Sequence, residues 1–137
     1  AMPDSQVRKI IIIENDEFLS AIYKTKFESE GFKVTAINDG AKGLKAVQTK
    51  KPDIVLLDVL LPKLDGFTIL QALKKDEATK DIPVVLLTNL GQKEDVKKGL
   101  EMGAADYLIK THFKPSETVD KVKKILNTMK GGERHDK

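Results

Sequence analysis

Three unbroken aliphatic runs, Ile10-Ile11-Ile12-Ile13, Ile54-Val55-Leu56-Leu57 and Val84-Val85-Leu86-Leu87, set the limits on how this chain can fold. Each is short and bounded by polar or turn-forming residues, so it reads as a strand covered on both faces, the pattern of a parallel sheet whose crossovers are helices. Between such runs the apolar period changes from two to about 3.6 residues. Strands are read near 8–13, 33–37, 54–57, 83–87 and 106–109, and helices at about 16–30, 39–50, 66–75, 93–102 and 116–130. Helix one carries Leu19, Ile22, Tyr23 and Phe27 on one stripe, starts from a cap at Asn15 or Asp16, and stops at Gly31. Helix five sets Val119, Val122, Ile125, Leu126 and Met129 inward and Lys121, Lys123, Lys124 and Lys130 outward, with a stop expected at Gly131-Gly132.

Strict alternation of strand and helix requires right-handed crossovers and a doubly wound α/β fold. The mixed segments Lys33–Ile37 and Asp106–Lys110 suit the edges and the three aliphatic runs the centre, giving a five-stranded parallel sheet in the order 2-1-3-4-5. The 137 residues fit one domain, read as 8–130. Residues 1–7 read as a disordered lead in which Ala1 ahead of Met2 is a remnant of tag removal, and 131–137 as a disordered tail.

Composition closes several routes. There is no cysteine, hence no disulfide or thiolate metal site, and a reducing, cytoplasmic setting is expected. No stretch approaches the ~20 apolar residues that span a bilayer, and the N-terminus lacks a signal-peptide core, so neither membrane insertion nor export is expected. The net charge of +3 comes from lysines interleaved with Asp and Glu along the chain, and Arg8 and Arg134 are the only arginines. That argues against direct nucleic-acid binding. His112 and His135 alone cannot build a metal cluster, and His112 reads as a loop residue.

Chemistry gathers where the strands end. Strand one runs into Glu14-Asn15-Asp16-Glu17, strand three into Asp58, strand four into Thr88 and strand five into Lys110. Open parallel sheets bind ligands outside the carboxyl ends of their strands, at the point where the winding reverses, here between strands one and three. Glu14, Asn15 and Asp58 should therefore meet, with Thr88 one strand further on and Lys110 within reach of Asp58 by its long side chain. Crowded carboxylates call for a cation, and a few hard oxygen ligands with open positions suit Mg²⁺. A carboxylate flanked by a metal, an amine and a hydroxyl points to phosphoryl transfer onto Asp58, with Lys110 balancing charge and Thr88 donating a hydrogen bond.

On these residues the chain resembles the receiver domain of two-component response regulators from about Arg8 to Lys130. The segment Asp58-Val59-Leu60-Leu61-Pro62-Lys63-Leu64-Asp65-Gly66 is similar to the family's Asp-x-x-x-Pro-x-x-Asp-Gly stretch, joined by Glu14, Thr88 and Lys110. The resemblance implies a flavodoxin-like (βα)5 fold and Mg²⁺-dependent phosphorylation of Asp58 by a sensor histidine kinase or histidine phosphotransfer protein. It implies self-catalysed dephosphorylation and no other enzymatic activity. Metal ligands would be Glu14, Asn15, Asp58 and the backbone carbonyl of Leu60. A conformational switch would involve Thr88 and Tyr107, with output to a downstream protein through helix four, strand five and helix five, and a phosphorylation-linked homodimer is a further candidate partner. Phe18, Ala21, Ile22 and Thr25 could form the face that meets a phosphodonor helix.

The sequence departs from the family pattern at three places. Asn15 stands where a second acidic ligand is usual, so Mg²⁺ should bind more weakly than in Asn15→Asp, unless Asp16 compensates. Asn89 follows Thr88 where a small residue is usual, narrowing access. Thr111 replaces the proline after Lys110, and because a non-proline cis peptide costs about 2.5–4 kcal/mol, the bond is open to a trans form that would place Lys110 differently. Leu60 and Leu90 would flank the phosphoryl group, and neither can orient an attacking water, which predicts a long-lived phospho-form.

Each residue alone has an ordinary explanation: Asp58 as a turn residue, Thr88 as a strand end, Lys110 as an edge charge, Tyr107 as a half-exposed packing residue. The set outweighs them. The main alternative is a degenerate receiver that binds a partner without phosphorylation. A flavin or nucleotide carrier fits poorly, since Glu14-Asn15-Asp16-Glu17 would repel phosphate, and an aspartyl phosphatase would want an acid at Leu60.

Overall fold

The computed structural model describes residues 7–89, 92–110 and 114–135, the last six by backbone alone. The elements are β1 (Lys9–Ile13), α1 (Glu17–Ser29), β2 (Lys33–Ile37), α2 (Gly40–Lys50), β3 (Ile54–Asp58), α3 (Gly66–Lys75), β4 (Val84–Thr88), α4 (Lys93–Glu101), β5 (Asp106–Ile109) and α5 (Pro115–His135). All strand pairs are parallel and their order is β2-β1-β3-β4-β5, the expected doubly wound topology.

Period-two alternation divides the aliphatic runs between two layers. Ile11, Ile13, Val55, Leu57, Val84 and Leu86 pack with α2 and α3, while Ile10, Ile12, Ile54, Leu56, Val85 and Leu87 pack with α1 and α5. Every residue of β3 and β4 is buried, so each large side chain there contributes on the order of 1.5–3 kcal/mol.

Three aspartates start helices close behind strand ends. The side chain of Asp16 accepts from Leu19 N at 3.0 Å, Asp39 from Lys42 N at 2.9 Å and Asp65 from Thr68 N at 2.9 Å. At the other ends, Gly31 takes the expected left-handed conformation (φ 93°), and Lys51 does so after α2 (φ 46°) without glycine.

Two expectations are corrected. Helix α5 does not stop at Gly131-Gly132 but continues to His135. Glycine costs a helix about 1 kcal/mol, yet it ends one only where a left-handed turn redirects the chain, as at Gly31. On α1 the buried stripe is Ser20, Tyr23 and Phe27, with Leu19 and Ile22 only half-buried at its margin. Among the described residues no helix is long and apolar enough to cross a membrane.

Candidate functional site

The register brings the strand ends level. Ile13 pairs with Leu57, Asp58 with Leu87 and Thr88 with Ile109, so the residues that leave β1, β3, β4 and β5 emerge along one edge. Glu14 stays in line because its backbone N–H donates to Ile37 O at 3.0 Å. Its carboxylate is turned inward and is 1% exposed, and Asp58 is 4% exposed.

Lys110 joins them. Its Nζ lies 2.8 Å from Glu14 Oε1 and 3.1 Å from Asp58 Oδ2. It reaches both acids because the amine spans the two strand spacings between β5 and β3; Thr111 lies outside the described residues. The other carboxylate oxygens are held by backbone: Glu14 Oε2 accepts from Asp16 N at 3.0 Å and Asp58 Oδ1 from Leu60 N at 3.1 Å. Both acids are thus oriented from two sides.

Two carboxylates against one ammonium leave a surplus negative charge out of water. Burial, reinforced by the neighbouring Asp58 and opposed by Lys110, pushes the Glu14 carboxyl up to about 7. Burial alone would lower the Lys110 ammonium, but its two acidic partners outweigh it and hold it above the usual lysine value. Tyr23, wholly buried on α1, has its phenol pushed well up by burial and then by Glu14 and Asp58, which makes it part of the site's surroundings. Its position on the inward stripe of α1 was the only sequence signal for this.

Among the described residues no three acidic or histidine side chains form a closed metal cage. The donors are instead two buried carboxylates, of which Glu14 presents its Oε1 to the Lys110 amine at 2.8 Å and is pressed against Asp58. Hard oxygens, surplus negative charge and few protein ligands fit Mg²⁺, which keeps several of its waters. Asn15 is exposed beside them and could add an amide oxygen; Asp16 is occupied as the cap of α1. An open cleft of about 390 Å³ between α1 and β2 reaches Glu14 from the side.

This constellation of acid pair, bridging lysine and neighbouring threonine can be compared with known proteins. The model of the response regulator receiver domain matches residues 10–123. The chain belongs to this family. It is 42% identical over 118 residues to the DNA-binding dual master transcriptional regulator RpaA of Synechocystis, covering 86% of this chain and 48% of that protein. It is 36% identical over 119 residues to the alkaline phosphatase synthesis transcriptional regulatory protein PhoP of Bacillus subtilis, covering 87% and 48%. The receiver therefore spans about half the length of these curated relatives. Among solved structures it is similar to the receiver domain of the Francisella response regulator 1452, with a TM-score of 0.80 and 30% identity over 89% of this chain and 98% of that one.

The remaining expected residues of the receiver are spread around this centre. Thr88 is buried, and its Oγ1 is turned toward β5, where it donates to Leu108 O at a long 3.4 Å. Tyr107 is half-buried on β5, with Lys121 Nζ 3.1 Å from Asp106 Oδ2 and 5.8 Å from the Tyr107 ring centroid. Phe18 and Leu60 are 78% and 53% exposed, leaving apolar surface beside the acids; Ala21 and Thr25 are exposed and Ile22 half-buried. Asn89 is exposed, with its N–H donating to Gln92 Oε1 at 2.7 Å, while Leu90 and His112 lie outside the described residues.

Asp65-Gly66 closes the Asp58–Gly66 stretch and has a structural task. Asp65 caps α3, and Gly66 N donates to Val59 O at 2.9 Å. A Cβ at Gly66 would overlap the Asp58 carbonyl oxygen. The glycine lets α3 begin directly against the backbone that carries Asp58, which no local pattern discloses.

Proposed function

We propose that this receiver accepts a phosphoryl group on Asp58 in a Mg²⁺-dependent reaction and works as a conformational switch in two-component signalling. The observation that carries the reading is the single amine of Lys110 shared between two buried carboxylates at the switch point of the sheet. A structural ion pair needs one acid; a surplus acid out of water is costly unless a cation joins it. Glu14, Asp58 and Asn15, with the Leu60 carbonyl, would hold Mg²⁺, which supplies charge neutralisation on phosphoryl oxygens.

Asp58 is the nucleophile. As the phosphorus–nitrogen bond of a phosphohistidine on a kinase or phosphotransfer protein breaks, a phosphorus–oxygen bond forms to an Asp58 carboxylate oxygen. Lys110 keeps its proton throughout, being held above its ordinary pKa, and follows the charge from the carboxylate to the phosphoryl oxygens. Thr88 gives up its long bond to Leu108 O and donates to the phosphoryl group, leaving Tyr107 free to turn inward. The exposed Phe18 and Leu60 provide apolar contact for the donor, and output passes through α4, β5 and α5. With Leu60 in place of a polar residue beside the phosphoryl group, hydrolysis is slow.

Intact-mass measurement after incubation with a small phosphodonor tests this. One added phosphoryl group is expected with Mg²⁺, none with chelator and none in Asp58→Ala. If wild type stays unmodified at high Mg²⁺, the chain is instead a binding module that works without phosphorylation, the reading favoured by the missing charge at Asn15.

A further inference from the structure

At the opposite end of the sheet the fold gathers lysines that lie far apart in sequence. Lys9 opens β1 and Lys33 opens β2, and the two are direct register partners with Cα atoms about 4.8 Å apart. By alternation both share the side of Ile11, Ile13 and Ile37, the layer covered by α2. Helix α2 runs back toward this edge. Its buried stripe, Gly40, Gly43, Ala46 and Val47, continues to Lys50, which is exposed, and three residues on the chain meets β1, where Asp53 N donates to Lys9 O at 2.9 Å. Lys51 follows in its left-handed turn.

All four lysines are exposed, and among the described residues none has a carboxylate at ion-pairing distance. The acid nearest in the chain, Asp53, has an oxygen taken by the backbone N–H of Lys9 at 2.7 Å. The dipole of α2 favours cations at Lys50 and Lys51, and an edge strand gains protection from Lys33. Neither explains why Lys9 stands beside Lys33, since like charges in register are destabilising unless an anion lies between them.

We propose that the corner formed by Lys9, Lys33, Lys50 and Lys51 is a sequence-independent docking surface for the phosphate backbone of duplex DNA. Flexible amines bind phosphates as point charges without reading bases. Among the described residues the large exposed apolar side chains, Phe18, Leu60 and Leu100, lie on other parts of the molecule, so the described corner lacks the anchor that a protein partner or a lipid surface needs. Counted along the chain, the interleaved lysines point away from nucleic acid; the cluster exists only in space.

The test is fluorescence anisotropy of the full chain with two labelled duplexes of unrelated sequence. Wild type should bind both alike, and with about four phosphate contacts should weaken roughly 100-fold between 50 and 200 mM salt. The variant Lys9→Gln, Lys33→Thr, Lys50→Gln, Lys51→Asn should bind at least tenfold more weakly. Lys63→Gln, Lys93→Gln, Lys97→Gln, Lys124→Gln, with the same loss of charge elsewhere, should stay within twofold of wild type. If the fourfold corner variant unfolds, Lys50→Gln, Lys51→Asn alone should show threefold or more weakening. Equal loss in the control set, or no binding by wild type at 50 mM salt, overturns the proposal. Competition by polyglutamate or anionic vesicles as effective as by unlabelled duplex overturns it in favour of an acidic protein or a membrane.

Discussion

In Gly66→Ala the added methyl would overlap the Asp58 carbonyl oxygen and stand 2.8 Å from Val59 Cα and 3.1 Å from Val59 O. These neighbours are backbone of a fully buried strand end, so no rotamer change relieves the contact, and the first turn of α3 must retreat by at least ~0.6 Å. Retreat stretches the Gly66 N to Val59 O bond, 2.9 Å in the native chain. Overpacking against rigid backbone costs about 1–3 kcal/mol and a weakened hydrogen bond about 1 kcal/mol more, offset by up to about 1 kcal/mol of alanine helix propensity. The expected net loss is about 1–4 kcal/mol, measured as a shift of the urea midpoint at unchanged m-value. Gly99→Ala is the comparison. There the methyl meets the tip of Leu86, a side chain that can rotate, and a loss under about 1.5 kcal/mol is expected. Gly66→Ala should also slow phosphorylation, because the moved backbone carries Asp58. A variant within about 0.5 kcal/mol of wild type would refute the reasoning, since it would show that β3 and α3 do not meet as tightly as the geometry states.

Three other outcomes follow from the same structure. Glu14→Gln removes the surplus charge and should stabilise the metal-free chain at pH 8 by about 1–3 kcal/mol, given a carboxyl raised from 4.5 to about 7. The sign follows from the raised value: the penalty on wild type is full above pH 7 and fades toward pH 4.5, so the advantage should vanish in acid, and thermal melts with chelator at pH 8 and 5 check both. Asn15→Asp adds a carboxylate and should tighten Mg²⁺ binding by calorimetric titration; unchanged affinity would remove Asn15 from the ligand set. Thr79→Val should cost about 1–2 kcal/mol in urea, because buried Thr79 Oγ1 donates to Leu73 O at 2.8 Å, whereas Thr79→Ser keeps the bond and should lose less of that stability.

Much of the candidate site was legible in the sequence because its residues follow directly on strands. Glu14, Asp58, Thr88 and Lys110 each follow or end an aliphatic run, and parallel strands of similar length bring such ends level. Less legible were the states of those side chains. The sequence offered Asp16 both as a helix cap and as a compensating ligand, and the start of α1 uses its carboxylate to accept from Leu19 N. The role expected of Thr88 requires its hydroxyl to move toward the phosphoryl group, and where that movement starts, turned to β5, no local pattern told. Gly131-Gly132 looked like a stop and is not one, because glycine permits a left-handed turn without requiring it.

By itself the sequence determined the number, type and alternation of the elements, the order of the strands and the edge of the sheet where polar groups would gather. Those properties follow from local periodicity and from the handedness of crossovers, which hold for any chain with this pattern. Tertiary structure alone decided that Lys110 is shared by two buried acids, that Gly66 lies against the Asp58 carbonyl, and that Lys9 and Lys33 stand side by side. Such contacts depend on strand register and on where each helix ends relative to the sheet, and distances between segments remote in sequence are set only when the whole core has packed.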